Sequence, residues 1–454
     1  MRYELNNYNI FDIERIKLKS LRYSLYYNKS KHYEVVVKQL LDKYGKKYES
    51  DIRCLVTNIA KAFKSHTEYL TVTMNKNHYI ENILGISYRK TKKLIDMLEC
   101  DGYIDIYKGF SKGKTVAKDF KVELSSATVI KFNKPLANIW EDRYHKYVNL
   151  IDFDLIEVRD RETKKGKSTR GFKGLSDKRS FMKKYNMLLE TVEFSVMGEL
   201  IPSPLYKRVY TDTPSKGGRF YNKGNFQTMK KTLRPSIKID GEDTVCLDYS
   251  ALHPCLCYNL VDVEMEEWYS PYDCDTSFLH VDEDKLEEFK LKYDKPDYNP
   301  MRNLVKIAML CILNSPEGKG DNSASIAMLA ISSKIGEDKI KQDSEDTVEN
   351  SLFYGLCFGK KPIPVKELVK SILTHNFPIA EFFFTDIGLE LQRADSDMAE
   401  YILGHFLQKG EVSLSWHDGF VVRKTLKEEL YSVMKDAYRE VTGTEKNCKI
   451  KQEY

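Results

Sequence analysis

The sequence predicts an α+β chain of two to four domains. Its 454 residues exceed one ordinary domain. Short blocks of helical spacing and of strand-like alternation follow one another along it. Hydrophobic residues make up 42% and charged ones 31%, enough apolar side chain for a core and too much for a disordered or collagen-like chain. No run approaches the ~18 uninterrupted apolar residues of a membrane span, so no membrane partner is expected. The opening MRYELNNYNIFDIERIKLKS carries charges where a secretory signal needs an apolar run. Nine cysteines, an odd number with no CxxC pair, argue against a disulfide scaffold or zinc ribbon and for a reducing cytoplasm.

In the first zone, residues 1–150, Phe11-Asp12-Ile13-Glu14 contains an acidic DxE pattern that is common by chance and is read as structural. Asn77 to Leu84 can form a short helix, Gly85-Ile86 a turn, and Ser87 an N-cap for a helix running to about Cys100. Leu94, Met97 and Leu98 share one face of that helix, while Tyr88, Arg89, Lys92 and Lys93 fall largely elsewhere. After Gly102, Tyr103 to Tyr107 alternates as a strand. Gly109, Gly113 and lysines 108, 112 and 114 suggest a basic turn before another strand. A basic second helix followed by a β-wing predicts a winged helix-turn-helix over about 75–123. Arg89, Lys92 and Lys93 are its nucleic-acid contacts, with packing or protein contact as the alternative.

Net charge is only +5, but its distribution is uneven. Arg159 to Lys184 holds eleven Lys/Arg and three acids, and Lys207 to Lys238 nine and one. Two basic stretches around an apolar segment suggest a polyanion track, with solvated loops as the alternative. Within them 162–174, with three glycines, is the expected flexible segment.

Three patterns in the last zone carry chemistry. Thr244 to Leu247 is a β-type run that delivers Asp248-Tyr249-Ser250 at its end; a carboxylate at a buried strand end is costly unless paired or metal-bound. Val412 to Val422 reads as a hairpin whose turn, His417-Asp418-Gly419, presents Asp418 with His417 beside it. Met301 to Leu313 reads as a helix with Arg302, Lys306, Leu310 and Asn314 at i+4 spacing. Two cations one turn apart suit a triphosphate, and an apolar side chain one turn further can pack on a base.

In this order the three patterns resemble the motifs of family A DNA polymerases and single-subunit phage-type RNA polymerases. Asp248-Tyr249-Ser250 is similar to the start of DYSQIELR, Arg302-x-x-x-Lys306 to the fingers-helix motif, and His417-Asp418-Gly419 to HDE or HDS. Gly218-Arg219-Phe220 resembles a segment that meets primer–template. Gln392 with Ala394-Asp395-Ser396-Asp397 resembles QGxxAD. The resemblance covers roughly residues 205–425 and is closest to the mobile-element and phage branch, the transposon–virus polymerases. It implies a right-hand polymerase after the winged helix. Palm would be an antiparallel sheet at 240–262 and 385–454, helical fingers 263–384, and a basic thumb-like or linker region 151–239.

The resemblance implies two-metal phosphoryl transfer. Asp248, Asp418 and Tyr249 would bind two Mg²⁺, with Mn²⁺ as a substitute, and Lys306 would be catalytic. Arg302, Lys306, Leu310, Tyr249, Ser250 and His253 would bind the nucleoside triphosphate. Arg219, Gln392 and His417 would meet primer–template. The expected setting is phage or mobile-element replication in a bacterial host cytoplasm; any replication proteins that act with it stay unknown. The departures are His253 for the usual Glu, Cys255 for Arg, Leu310 for an aromatic and Asn314 for Tyr. They leave DNA or RNA product open. A primase or RNA polymerase, a template-independent transferase, and an inactive DNA-binding replication or regulatory protein stand as alternatives.

Overall fold

The computed structural model describes residues 16–27 and 33–133 with short interruptions, 150–292 apart from 152, 225 and 230, then 299–315 and 364–454. The acidic pattern at 11–14 lies outside these. The described chain is mixed α+β with several sheets. Among the described residues no helix is long and apolar enough to cross a membrane, and the eight described cysteines are free thiols.

Helices α1 (Glu34–Tyr44), α2 (Glu49–Lys64) and α3 (Tyr88–Cys100) come first. They pack with a sheet of order β1-β2-β6-β3, formed by β1 (Leu21–Arg22), β2 (Tyr69–Val72), β3 (Ile104–Tyr107) and β6 (Thr128–Phe132). Between β3 and β6 the chain makes the hairpin β4 (Ser111–Ala117) and β5 (Phe120–Ser125). Gly113 and lysines 112 and 114 therefore lie in a strand, not in the expected basic turn, and Lys108 and Gly109 fall outside the described residues. The expected helix before Gly85 is described only as a 3₁₀ turn, Lys76–Tyr79. Helix α3 buries Thr91, Leu94, Ile95 and Leu98, and Met97 packs half-buried against the same core. Ser87 is extended at the N-cap position, but its side chain makes no cap bond. Asp51 on α2 instead accepts from the Ser87 N–H (3.2 Å) and the Thr91 hydroxyl (2.7 Å). A buried carboxylate with nearby donors satisfies the helix start as an N-cap would.

The second sheet has order β12-β11-β7-β8, from β7 (Ile156–Arg159), β8 (Gly166–Lys167), β11 (Tyr206–Thr211) and β12 (Thr213–Asn222). The expected flexible stretch turns β7 into β8. Asp160 holds that turn by accepting from the Glu162 and Thr163 N–H groups (3.1 and 2.9 Å) and pairing with Lys167 (2.9 Å). Helix α4 (Leu175–Leu189) follows. Part of the basic stretch is neutralised within the fold: Arg159 pairs with Glu157, Arg161 with Asp386, and Lys178 with Glu400.

The third sheet positions the acids. Its order is β10-β9-β13-β14-β16-β15, from β9 (Phe194–Val196), β10 (Glu199–Ile201), β13 (Ile237–Ile239), β14 (Glu242–Tyr249), β15 (Leu414–Trp416) and β16 (Gly419–Arg423). A seventh strand, β17 (Ile450–Gln452), also pairs with β14, and every pairing is antiparallel. Three strands of this sheet come from 194–239, so the expected boundary at 239/240 runs through it. Helices α5 (Leu252–Leu260), α6 (Glu283–Lys292), α7 (Pro300–Leu313) and α8 (Val365–His375) connect its halves. Helix α9 (Gly388–Gln408) packs on β12, and α10 (Lys427–Thr442) packs on α9. Most of the region expected as fingers beyond 315 lies outside the described residues.

Candidate active site

Strand β14 is apolar and buried from Val245 to Leu247, so register fixes where its terminal carboxylate emerges. Asp248 faces Gly419 across the β14–β16 pairing, and the Tyr249 N–H donates to the Asp418 carbonyl at 3.1 Å. The hairpin turn is His417-Asp418, with Gly419 already in β16. His417 takes a positive φ, +65°, in that turn. Gly419 leaves room for that carboxylate: a Cβ there would lie 3.1 Å from Asp248 Oδ1, a tight contact. Two carboxylates from distant sequence thus meet at neighbouring strand ends.

Helix α7 forms the opposite wall. Asn299 accepts the Arg302 N–H at 2.9 Å and Pro300 opens the helix. Leu304, Val305, Ala308, Met309, Ile312 and Leu313 are buried. Lys306 and Leu310 remain outward, Leu310 52% exposed. The predicted face is therefore as spaced. Asp248, Asp418, Lys306, Leu310, His253 and Arg219 all border one cleft of about 300 Å³, as does Tyr249. The Tyr249 ring is buried between Phe420 and Tyr438 and its hydroxyl donates to the Met434 carbonyl, which leaves its backbone beside Asp418.

Other candidate residues sit outside that lining. Ser250 donates its N–H to the Lys449 carbonyl (2.7 Å). Arg302 lies over Tyr272, its guanidinium carbon 5.2 Å from the ring centroid, with the Lys306 ammonium 5.6 Å from the same ring. Gln392 is half-buried on α9. His417 packs edge-on against Tyr221, centroids 5.6 Å apart, and its buried Nδ1 has no partner among the described residues. Arg89, Lys92 and Lys93 are exposed on α3 and border a separate open groove with Lys43 and Lys76. The structure does not bring them to the cleft.

Burial, and then the charge of Asp418, pushes the Asp248 carboxyl well up; Lys451, 3.3 Å away, pulls it back. Burial and then Asp395 raise Asp418. Asp395 is buried and raised by desolvation, against the Arg219 ion pair at 2.7 Å. Arg219 also donates to His253 Nε2 at 3.3 Å. Burial and that guanidinium hold His253 down to about 3, and likewise His417 to about 4, so both rings are neutral at pH 7. Burial and then Lys451 and Arg302 lower Lys306 from the ordinary lysine value.

Among the described residues no group of three or more His, Cys, Asp or Glu is gathered for a metal. Two acids with raised affinity for positive charge still fit a hard cation such as Mg²⁺, which takes one or two carboxylates and completes its shell with water and phosphate oxygens. Asp395, Lys451 and Tyr272 border or tune the site without having been given roles from the sequence. Asp395 lay inside a recognised pattern. Lys451 reaches Asp248 only through β17 pairing, and Tyr272 sits in a loop with no periodic signal.

No family model matches the sequence, and no curated protein matches it. Among solved structures, the chain is similar to the POL domain of Pol1 from M. smegmatis in complex with DNA primer-template and dNTP. Identity is 11% and the TM-score 0.24, over 61% of this chain and 51% of that one. The chain thus spans about half the length of that solved structure.

Proposed function

We propose that the chain is a template-directed nucleotidyltransferase, a DNA-dependent DNA polymerase of family A type acting in phage or mobile-element replication. The observation that carries this reading is the meeting of Asp248 and Asp418 in one cleft, across from Lys306 and Leu310. A purely binding protein has no use for two desolvated acids facing a cation-bearing helix.

Asp248 and Asp418, with the Tyr249 backbone, would hold Mg²⁺. When bound, the metal supplies activation of a primer 3′-hydroxyl and compensation of charge on the leaving pyrophosphate. Lys306 faces the triphosphate and, with its proton affinity lowered, is suited to protonate the departing pyrophosphate oxygen. Arg302 stabilises phosphate charge from the same helix. Leu310 offers apolar surface to the incoming base. His253 and Ser250 lie on the sugar side in this reading. Arg219, Gln392 and His417 are assigned to primer–template, and the basic face of α3 to duplex phosphates outside the cleft.

The test is extension of a labelled primer, supplying dNTPs or NTPs and omitting primer or template in turn. Template-coded addition from dNTPs supports the reading. Synthesis from NTPs without primer would make the chain a primase or RNA polymerase, and addition without template an end-transferase. No incorporation under any condition overturns the proposal.

A further inference from the structure

A second cavity, of about 740 Å³, lies where the N-terminal sheet meets the β7–β11–β12 sheet. Five cations line it: Arg22, Lys61, Arg159, Lys207 and Lys223; no acid is among its described lining residues. Glu157, outside that lining, pairs with both Arg159 and Lys207; two cations on one acid leave that group net positive, and Arg22 adds to it. Ion pairs Lys19–Glu199 and Lys64–Glu190 join the two halves of the molecule.

Aromatic rings interleave with the cations. Tyr23, Phe153, Tyr221 and Phe226 border the same space, and Lys223 sits 4.8 Å from the Phe153 ring centroid. Two of these rings lead to the candidate active site. Tyr221 meets His417 edge-on, and Phe226 stacks on Trp416 with centroids 4.4 Å apart. Strand β12 carries Tyr221 in this cavity and Arg219, two residues earlier, in the catalytic cleft. At about 3.3 Å per strand residue the two lie roughly 7 Å apart along the chain.

We infer that this cavity is a channel for single-stranded nucleic acid leading to the Asp248–Asp418 cleft. Phosphates meet the cations and unpaired bases stack on the rings, the combination that grips a strand without reading its sequence. The inference extends the proposed activity, and its test is read without catalysis.

The full chain, in EDTA and without nucleotide, is titrated with a fluorescent oligothymidine of about 16 nucleotides across a salt series. Arg22→Ala/Lys223→Ala is compared with Arg22→Lys, with thermal midpoints checked. Removing two phosphate contacts is expected to flatten the log–log salt slope by about 1.4 and weaken low-salt binding roughly tenfold, while Arg22→Lys keeps the slope. A bromodeoxyuridine-substituted oligomer is expected to photo-crosslink to peptides containing Tyr221 or Phe226. An unchanged slope in the folded double variant, or crosslinks confined to α3, overturns the channel. Normal crosslinks and slopes in a chain that never extends a primer would end the catalytic reading and leave the channel standing.

Discussion

Asp248→Asn should stabilise the metal-free protein at pH 8. Asp248 is only 17% exposed and faces a second, half-buried acid. For charges roughly 5 Å apart, the spacing of paired strands, at an effective dielectric near 20, the repulsion is about 3 kcal/mol. Opposing it is the Lys451 ion pair at 3.3 Å, whose lysine is 50% exposed; such a pair contributes about 1 kcal/mol or less. Repulsion wins, and the substitution should gain on the order of 1–3 kcal/mol. The sign of the pH dependence follows. Both carboxyls are raised, so the folded state holds their protons more tightly than the unfolded state. Their cost is absent below the ordinary carboxylate value near 4 and grows as pH rises above it. Thermal unfolding in EDTA at pH 8 should show a higher midpoint for Asp248→Asn than for wild type, with the gap closing towards pH 4. Excess Mg²⁺ should raise the wild-type midpoint and leave the variant's unmoved. A variant less stable than wild type in EDTA at pH 8 would mean that the Lys451 pair dominates, and would refute the reasoning.

Three further outcomes are expected. Lys306→Ala should raise the apparent nucleotide KM and lower turnover, on the order of 100-fold in kcat/KM; primer-extension kinetics unchanged at all nucleotide concentrations would remove α7 from the site. Arg208 is fully buried, with Nε donating to the Gly218 carbonyl (2.8 Å) and its guanidinium pairing with Glu400 (2.6 Å). Glu400 keeps its second cation, Lys178 at 2.6 Å, so Arg208→Ala should cost about 2–4 kcal/mol, chiefly through the buried space the guanidinium vacates and the lost half of the ion pair, and a loss under about 1 kcal/mol in urea unfolding would contradict this. Gly218 sits at φ +94°, where a Cβ would lie 2.7 Å from the Tyr210 ring and 2.9 Å from Ser396 Oγ. Gly218→Ala should cost roughly 1–3 kcal/mol and displace neighbouring Arg219; an unaltered thermal midpoint would show that the strand yields freely.

What the sequence made legible was local. The i+4 face of α7 and the buried stripe of β14 follow from periodicity within one element, so Lys306, Leu310 and Asp248 could be placed by counting. Asp418 was legible as a hairpin tip, while the positive φ of His417 shows only in the folded turn. The register sets a side-chain-free residue opposite Asp248, and only the paired strand reveals how closely a side chain at 419 would approach that carboxylate. Lys451 was invisible because β17 is three residues long with a mostly polar pattern, and its place comes from pairing with β14 some two hundred positions earlier. The joining of β9, β10 and β13 to the acid-bearing sheet is likewise non-local. A run of lysines and arginines also does not declare its partners: Arg208 reads as part of a basic stretch, yet its side chain is fully buried in the fold's interior.

The central claim concerns cation binding by the two acids, and divalent uptake tests it most directly. Mn²⁺ is titrated into the protein with a dNTP and without primer, and free Mn²⁺ is followed by electron paramagnetic resonance against the dNTP alone. Wild type and Lys306→Ala should both take up Mn²⁺, and Asp248→Ala and Asp418→Ala should each lose that uptake while keeping a native circular dichroism spectrum. Equal uptake by wild type and both aspartate variants would contradict the account.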